Sequence, residues 1–412
     1  MILGQFHISP SSKASALGAA FLLLSLFSGV LGGALALPLF HFHPSSGMVV
    51  SHAVLMTFFV ICPAILGGVA QWYLPRALGA ERMSLPSCSI LGLALLTVGD
   101  LILPFVPSAG LAIWALGMLS VSYNIIATVL EGREIRFRDM PPLAWSLLAT
   151  ACALVVINPV LLALLVKGQS VLPLVQTLRL PEMSLILIPS LGLVAQIFLS
   201  VSGHKQGIVH RLSPYLFGAM GAIGPLLWVD TLFGGLPHEA LSVAVIMGQV
   251  VPGLILLVSL CIEGWSYSIR QRAASLWIFG AVFLLLVGWL SLLAPHIVGQ
   301  MVFHVEGRMV AGAEFGHQAA IFGSLMALSG TFYIWFSHYM DVRGVWFERL
   351  GMFHAAVTFL GIMCSIIPTW SVYAPVALLV SVLAFVLMGV VAWRRFVLHC
   401  VGGDALIPTD GR

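Results

Sequence analysis

Residues 51–72, SHAVLMTFFVICPAILGGVAQW, decide the fold class of this chain. The run carries no Lys, Arg, Asp or Glu and is long enough to cross a bilayer as one helix. Its imidazole, His52, stands at the beginning of the run, and a second apolar run, EFGHQAAIFGSLMALSG at residues 314–330, carries His317 near its own beginning. An ionisable side chain inside a membrane is costly, so each histidine is a functional-site hypothesis.

The composition indicates a protein that lies almost entirely in or beside a membrane. Hydrophobic residues make up 60% of the 412 residues, charged residues only 8%, and the mean hydropathy is +1.07. A soluble domain is about one quarter charged. We expect residues 1–412 to form a single polytopic membrane domain, with short cytoplasmic tails at about 1–13 and 397–412. The net charge of +3 is spread over loops and predicts no nucleic-acid partner.

Twelve apolar segments predict an all-α membrane protein, a bundle of twelve transmembrane helices. With the N-terminus inside, 15 of the 18 Lys and Arg residues fall in inner segments, and only Lys167, Arg179 and Arg308 fall in outer loops. This bias predicts that both termini are cytoplasmic. The compact chain favours a bacterial inner (plasma) membrane. The predicted helices cover about 15–36, 50–73, 87–105, 109–130, 142–166, 180–202, 212–233, 240–262, 275–296, 314–337, 350–369 and 373–395.

The predicted orientation places His52 and His317 at similar depth. Both lie in the first turns of helices that enter the membrane from the outer side, so their imidazoles are expected within about one turn of the same level. Histidine is the usual axial ligand of haem iron, and one flat ligand between two helices could be held from both sides. The alternative is that each histidine ends a helix and bonds to a loop carbonyl.

The same segments resemble subunit I of cytochrome c oxidase and quinol oxidase, in the haem-copper oxidase superfamily. The likeness follows the chain in order, and twelve helices is also the count of that family. The segments that carry it are SHAVLMTFFVICPAILGGVAQWYLPRALGAERMSLP (51–86), MPPLAWSLLATACALVVINPVLLA (140–163), LPEMSLILIPSLGLVAQIFLSVSG (180–203), GPLLWVDTLF (224–233), FGHQAAIFGSLMALSGTFYIWF (315–336) and LGIMCSIIP (360–368).

The resemblance implies one cofactor site. The low-spin haem of the family is ligated by a histidine on the second helix and a histidine on the tenth, which match His52 and His317 here. The resemblance therefore implies one low-spin haem of b or a type, with His52 and His317 as the ligands of its iron.

The dioxygen-reducing centre of the family has no matching ligands in this chain. The high-spin haem histidine falls at Phe315, the copper histidines fall at Leu180, Asp230 and Thr231, and the cross-linked tyrosine falls at Ser184. Copper and haem iron need nitrogen or sulfur donors in fixed geometry. We therefore expect no copper, no catalytic residue and no dioxygen reduction.

Several polar residues stand at or near the positions of the missing centre. Glu182, Asp230, Thr231 and Glu314 are candidates for the polar lining of a vacated cavity. Asp230 and Glu314 could pair with each other, or bind a cation or a quinol hydroxyl. The alternative for all of them is structural hydrogen bonding.

Three functions follow from these observations. The first is an electron-transfer subunit of a respiratory membrane complex, which takes electrons from quinol or cytochrome c and works with other membrane or periplasmic electron-transfer subunits. The second is a cofactor-free scaffold or assembly subunit on the same fold. The third is a small-solute transporter that uses the vacated centre. Whether the chain is an enzyme stays open, because the oxidase family is expected here without its oxygen site.

Overall fold

The structure, a computed structural model, describes residues 13–35, 46–202, 207–264, 272–298, 302–305, 308–339 and 345–401. Most of the two predicted tails therefore lies outside the described residues. The helices are α1 (Lys13–Leu35), α2 (Ser46–Val54), α3 (Ala70–Ala77), α4 (Pro86–Ile102), α5 (Pro107–Leu130), α6 (Pro142–Val166), α7 (Val171–Thr177), α8 (Arg179–Glu182), α9 (Ile188–Ser202), α10 (Ile208–Phe233), α11 (His238–Val245), α12 (Val251–Gly264), α13 (Arg272–Val298), α14 (Gly312–Tyr339), α15 (Val345–Ile366) and α16 (Ala374–Val401).

The helices confirm an all-α integral membrane protein. Two of the twelve predicted spans are not among the ten helical stretches that are long and apolar enough to cross a bilayer, which are given at the end of this paragraph. They are 87–105, which corresponds to α4 with 17 residues, and 314–337, which corresponds to α14. The count of twelve therefore stays a prediction. Ten helical stretches of the described residues are long and apolar enough to cross a bilayer: Ala16–Leu35, Val50–Ala77, Pro107–Leu130, Pro142–Val166, Leu180–Leu199, Ile208–Phe233, Glu239–Gly264, Ala273–Ser291, Val345–Ile366 and Thr369–Val390.

The helix that contains His52 is not regular. Between α2 and α3 it passes through two π-helical segments, Leu55–Ile61 and Pro63–Val69. Pro63 has no N–H to donate to the carbonyl of Phe58 five residues earlier, and the indole N–H of Trp114 in α5 donates to that carbonyl instead, at 2.9 Å. A side chain from a neighbouring helix thus donates to a backbone carbonyl that Pro63 cannot reach with a hydrogen bond.

Two further π-helical segments lie in the middle of the bundle, Met183–Leu187 between α8 and α9 and Ile246–Val250 between α11 and α12. Side chains join the π-helical turns to one another. The Cys62 thiol lies 3.7 Å from the Leu185 carbonyl, and the amide of Gln249 donates to the hydroxyl of Ser184 at 3.1 Å. Three helices therefore depart from α-helical geometry where they meet.

A short β-hairpin precedes α14, where the sequence predicted only a loop. Its strands are β1 (Val302–Val305) and β2 (Arg308–Ala311), which pair antiparallel, with Val302 opposite Ala311 and Val305 opposite Arg308. The hairpin leads directly into α14, the helix that carries His317, because β2 ends at Ala311 and α14 begins at Gly312.

Candidate functional site

The ring of His52 is held by the first helix. His52 lies in the second turn of α2, and its Nδ1 is 2.8 Å from the carbonyl oxygen of Gly32 in α1. A carbonyl can only accept, so Nδ1 carries the hydrogen and Nε2 keeps the lone pair of the neutral ring. Among the described residues Nε2 has no hydrogen-bond partner. Helix α1 can lie this close to the helix of His52 because Gly32 has no side chain, since a Cβ there would meet the side chains of Met56 and Leu55.

The ring of His317 lies beside a carboxylate. His317 is in the second turn of α14, and its Nε2 is 3.3 Å from Oε2 of Glu182, the last residue of α8. Both side chains are largely buried, with 24% and 11% of their surface exposed. Glu182, predicted as part of the lining of the vacated centre, is therefore in contact with the second candidate ligand.

The two histidine helices are neighbours. Helix α14 packs against the π-helical segment Leu55–Ile61, which begins three residues after His52, and against Met183–Leu187, which follows Glu182 directly. Each histidine comes early in its helix, as the sequence predicted from the matched positions. The packing thus brings together the elements that carry His52, Glu182 and His317.

This donor set fits a haem iron. A metal-ligating histidine almost always has its second ring nitrogen bonded to a carbonyl or a carboxylate, which fixes the orientation of the ring. His52 has a backbone carbonyl in that role, and His317 stands next to a carboxylate. Two imidazoles are also sufficient for a six-coordinate low-spin iron.

Two positions that the sequence comparison matched to ligands of the family's oxygen site hold packed apolar side chains. Leu180 and Phe315 are partly buried and pack against the hydrophobic core. Neither offers a nitrogen or sulfur donor, so neither can take the place of a metal-binding imidazole.

The position matched to the cross-linked tyrosine is part of a buried hydrogen-bond cluster. Ser184 is fully buried, accepts from the Gln249 amide and donates to the carbonyl of Met220 at 3.3 Å. A Cβ built on Gly224 of α10 would collide with both the Gln249 amide and the Ser184 hydroxyl. These two polar side chains therefore fill the space over Gly224.

The other candidate lining residues lie apart from Glu182. Asp230 and Thr231 are in the last turn of α10, where Asp230 accepts the N–H of Leu236 at 2.9 Å and Thr231 donates to the carbonyl of Trp228 at 2.6 Å. Both are contacts at the end of a helix, of the kind expected if these residues serve in structural hydrogen bonding. Within the described part of the chain, neither residue has a hydrogen bond or ion pair with Glu182. Glu314 lies in the first turn of α14, and its side chain is outside what the structure describes.

Sequence reasoning missed the residues that support the site. Gly32 acts through its backbone carbonyl, which leaves no pattern in a sequence. Gln249, which donates to Ser184 in the core, could have been found in the sequence, because it is a polar side chain inside an apolar run.

The fold and the site define a helical membrane protein with two imidazoles on adjacent helices. The model of one protein family, described as cytochrome C and quinol oxidase polypeptide I, matches residues 16–374. The chain therefore belongs to the cytochrome c and quinol oxidase polypeptide I family, within the haem-copper oxidase superfamily.

Its similarity to curated relatives is low but extends over most of the chain. It is 24% identical to a cytochrome c oxidase subunit 1 of Yarrowia lipolytica, over 87% of this chain and 78% of the relative. It is 25% identical to the protein of that name from Cereibacter sphaeroides, over 69% and 62% of the two chains. A Synechocystis cytochrome c oxidase subunit 1 is also 25% identical, over 77% and 66%. The chain thus spans less than two thirds of the last two relatives.

Proposed function

We propose that this chain binds one low-spin haem, of b or a type, through His52 and His317, and transfers electrons within a respiratory membrane complex. The haem would supply reversible one-electron transfer. The observation that carries the proposal is the contact between Nδ1 of His52 and the Gly32 carbonyl, at 2.8 Å. It fixes the ring and leaves Nε2 for the iron.

The chain's own residues orient the ligands. α1 supplies the carbonyl for His52, and the end of α8 supplies the carboxylate beside His317. The carboxylate of Glu182 also favours positive charge on its neighbours, and therefore the oxidised state of an iron bound by His317. We assign Glu182 as a positioning residue, since it reaches the site only through His317.

We further propose that the chain has no dioxygen-reducing centre of its own. Leu180, Ser184 and Phe315 support this, because two of them pack on the core and the third is bonded to Gln249 and Met220. Reduction of dioxygen to water takes four electrons, and a single six-coordinate haem holds one and has no open position for oxygen. On this proposal no copper is bound.

The partners follow from the same reasoning. A one-electron carrier needs a donor and an acceptor, so we propose quinol or cytochrome c as the donor and other membrane or periplasmic electron-transfer subunits as neighbours. We place the chain in a bacterial inner membrane with both termini cytoplasmic. This orientation puts His52 and His317 near the outer face, within reach of a periplasmic donor.

The test is a reduced-minus-oxidised visible spectrum with haem quantitation on the purified full chain. His52→Ala and His317→Ala are measured beside His210→Ala, a control on the loop-facing start of α10 whose ring contacts the Arg138 carbonyl. We expect about one low-spin haem per chain in the wild type and the control, and loss of that haem in both ligand variants.

Other results would overturn the proposal in different ways. No haem in the wild type would remove the electron-transfer function and leave the scaffold and transporter functions. A second haem that binds carbon monoxide would show that the chain keeps an open iron site. Full haem content in either ligand variant would exclude that histidine as a ligand.

A further inference from the structure

A buried carboxyl group in α4 lies outside the candidate site described above. Asp100 has no exposed surface, and its Oδ2 is 3.0 Å from the hydroxyl oxygen of Ser28 in α1. Its Oδ1 has no hydrogen-bond partner among the described residues. A carboxylate in such surroundings, without a countercharge, is costly.

The hydrogen bonds of Ser28 allow two arrangements. Its oxygen is 2.9 Å from the Leu24 carbonyl and 3.0 Å from Asp100, but a hydroxyl has only one hydrogen. When Asp100 is ionised, Ser28 donates to it. When Asp100 is protonated, Asp100 can donate to Ser28, and the Ser28 hydrogen turns to the Leu24 carbonyl. The geometry is therefore suited to both protonation states of the carboxyl group.

Helix α1 connects this carboxyl group to the candidate haem ligand. Ser28 and Gly32 are four residues apart, so they lie on one face of α1 with a rise of about 6 Å between them. Ser28 bonds Asp100, and the Gly32 carbonyl bonds His52. Asp100 and His52 therefore contact neighbouring turns of one helix, and charges on neighbouring groups in a protein interior interact more strongly than they do in water.

Among the residues that the structure describes, the elements packed against α4 carry few other titratable groups. Helix α4 packs against α5, α1 and the segment Leu55–Ile61, and its own second titratable group is Cys88, near the opposite end. α5 contributes Tyr123, which is 60% exposed; α1 contributes Lys13 at its first residue; Leu55–Ile61 contributes none. On the continuous helix that leads into this segment, His52 is the titratable side chain.

We propose that Asp100 binds a proton when the cofactor held by His52 gains an electron, and releases it when the cofactor is oxidised. This inference rests on the proposed function. The electron comes from a quinol- or cytochrome-type donor and reduces ferric iron to ferrous iron. The proton comes from the aqueous phase and converts the Asp100 carboxylate to the acid. One electron and one proton thus enter together, and the charge of the buried site is unchanged.

The test measures the midpoint potential of the haem against pH in the purified chain, for the wild type, Asp100→Asn and Asp139→Asn. Asp139 is a control carboxylate in a loop, paired with Arg136. We expect the wild-type potential to fall as pH rises through the titration of Asp100, because the anion opposes reduction. In Asp100→Asn we expect the midpoint potential to stay, at every pH, near the high value that the wild type has at low pH. In Asp139→Asn we expect the same dependence on pH as in the wild type.

A second measurement covers the case in which Asp100→Asn folds poorly. Redox-difference infrared spectroscopy of the wild type should show the carbonyl band of a protonated carboxyl group on reduction. In Ser28→Ala, which removes a donor to the anion, the pH-dependent range should move to higher pH. Two results would overturn this inference and leave the proposed haem in place. One is a dependence of the midpoint potential on pH in Asp100→Asn equal to that of the wild type, and the other is the absence of the carbonyl band in the wild type. Absence of haem from the wild type would instead overturn the proposed function, and this inference with it.

Discussion

Nε2 of His317 lies 3.3 Å from Oε2 of Glu182, with both side chains largely buried between α14 and the end of α8. The two residues are far apart in sequence, and helix packing brings them together. The contact gives Glu182 a defined neighbour, whereas the sequence had offered only a place in a polar lining. It also makes the environment of His317 different from that of His52, which has a neutral carbonyl as its partner.

Replacement of Glu182 by Gln should therefore shift the midpoint potential of the haem while the haem stays bound. The amide keeps the size of the side chain but removes a negative charge that favours ferric iron. We expect the midpoint potential to rise, with reduction more favourable by a free energy on the order of 1 kcal/mol. The haem content should be unchanged. Potentiometric titration followed by visible spectroscopy measures the shift.

Glu239→Gln is the control for this substitution, since Glu239 is exposed at the start of α11. Its potential should equal that of the wild type. Equal potentials in Glu182→Gln and the wild type would show that the carboxylate does not act on His317.

Gly224→Ala should destabilise the protein. The new methyl group would collide with the Gln249 amide and the Ser184 hydroxyl, which are bonded to each other in the core. Overpacking of this kind costs about 1–3 kcal/mol. Gly218→Ala in the same helix is the matched control, because a Cβ there meets nothing within 4 Å. Thermal unfolding in detergent should show a lower midpoint for the first variant only; equal midpoints would mean that the cluster rearranges freely.

Trp114→Phe should also reduce stability, through a backbone group. Phenylalanine retains most of the ring but cannot donate to the Phe58 carbonyl, to which Pro63, five residues later, has no N–H to donate. A buried acceptor left unsatisfied costs about 1–3 kcal/mol. Trp346→Phe, at a position 54% exposed, provides the comparison in the same unfolding experiment. A loss no larger than that of Trp346→Phe would contradict this account of the π-helical turn.

The predicted orientation can be tested by labelling single cysteines introduced into loops. Substitutions at Arg136 and at Lys167 should give opposite results with a membrane-impermeant thiol reagent applied to intact cells. Lys167 is expected to be labelled from outside and Arg136 only after lysis, because the first is in a predicted outer loop and the second in a predicted inner one. The reverse pattern would place His52 and His317 near the cytoplasmic face.

Much of the fold could be predicted from apolar runs, because a helix that crosses a bilayer must be long and apolar. Helix α6 begins and ends within one residue of its prediction at 142–166 for this reason. The π-helical turns could not be predicted, since they depend on partners from other helices, as with Trp114 and the Phe58 carbonyl. The hairpin before α14 was also missed, because its strands are short and irregular in pattern.

The candidate site was predictable only in part. His52 and His317 stand out because imidazoles are rare in apolar runs. The pairing of His317 with Glu182 was not foreseen, since it depends on how α8 and α14 pack. For Asp230 the sequence left two roles open, a polar lining and structural hydrogen bonding, and its side chain accepts a hydrogen bond from the loop after its own helix.

The two π-helical segments between His52 and Trp72 have a consequence for the direction in which His52 points. Each such turn accommodates an extra residue, and one residue of an α-helix corresponds to a rotation of about 100°. Deletion of one residue within Leu55–Val69 could restore a regular helix, but it would turn His52 away from the Gly32 carbonyl or turn Trp72 out of the core. The angular setting of the candidate ligand is thus encoded by the number of residues that follow it.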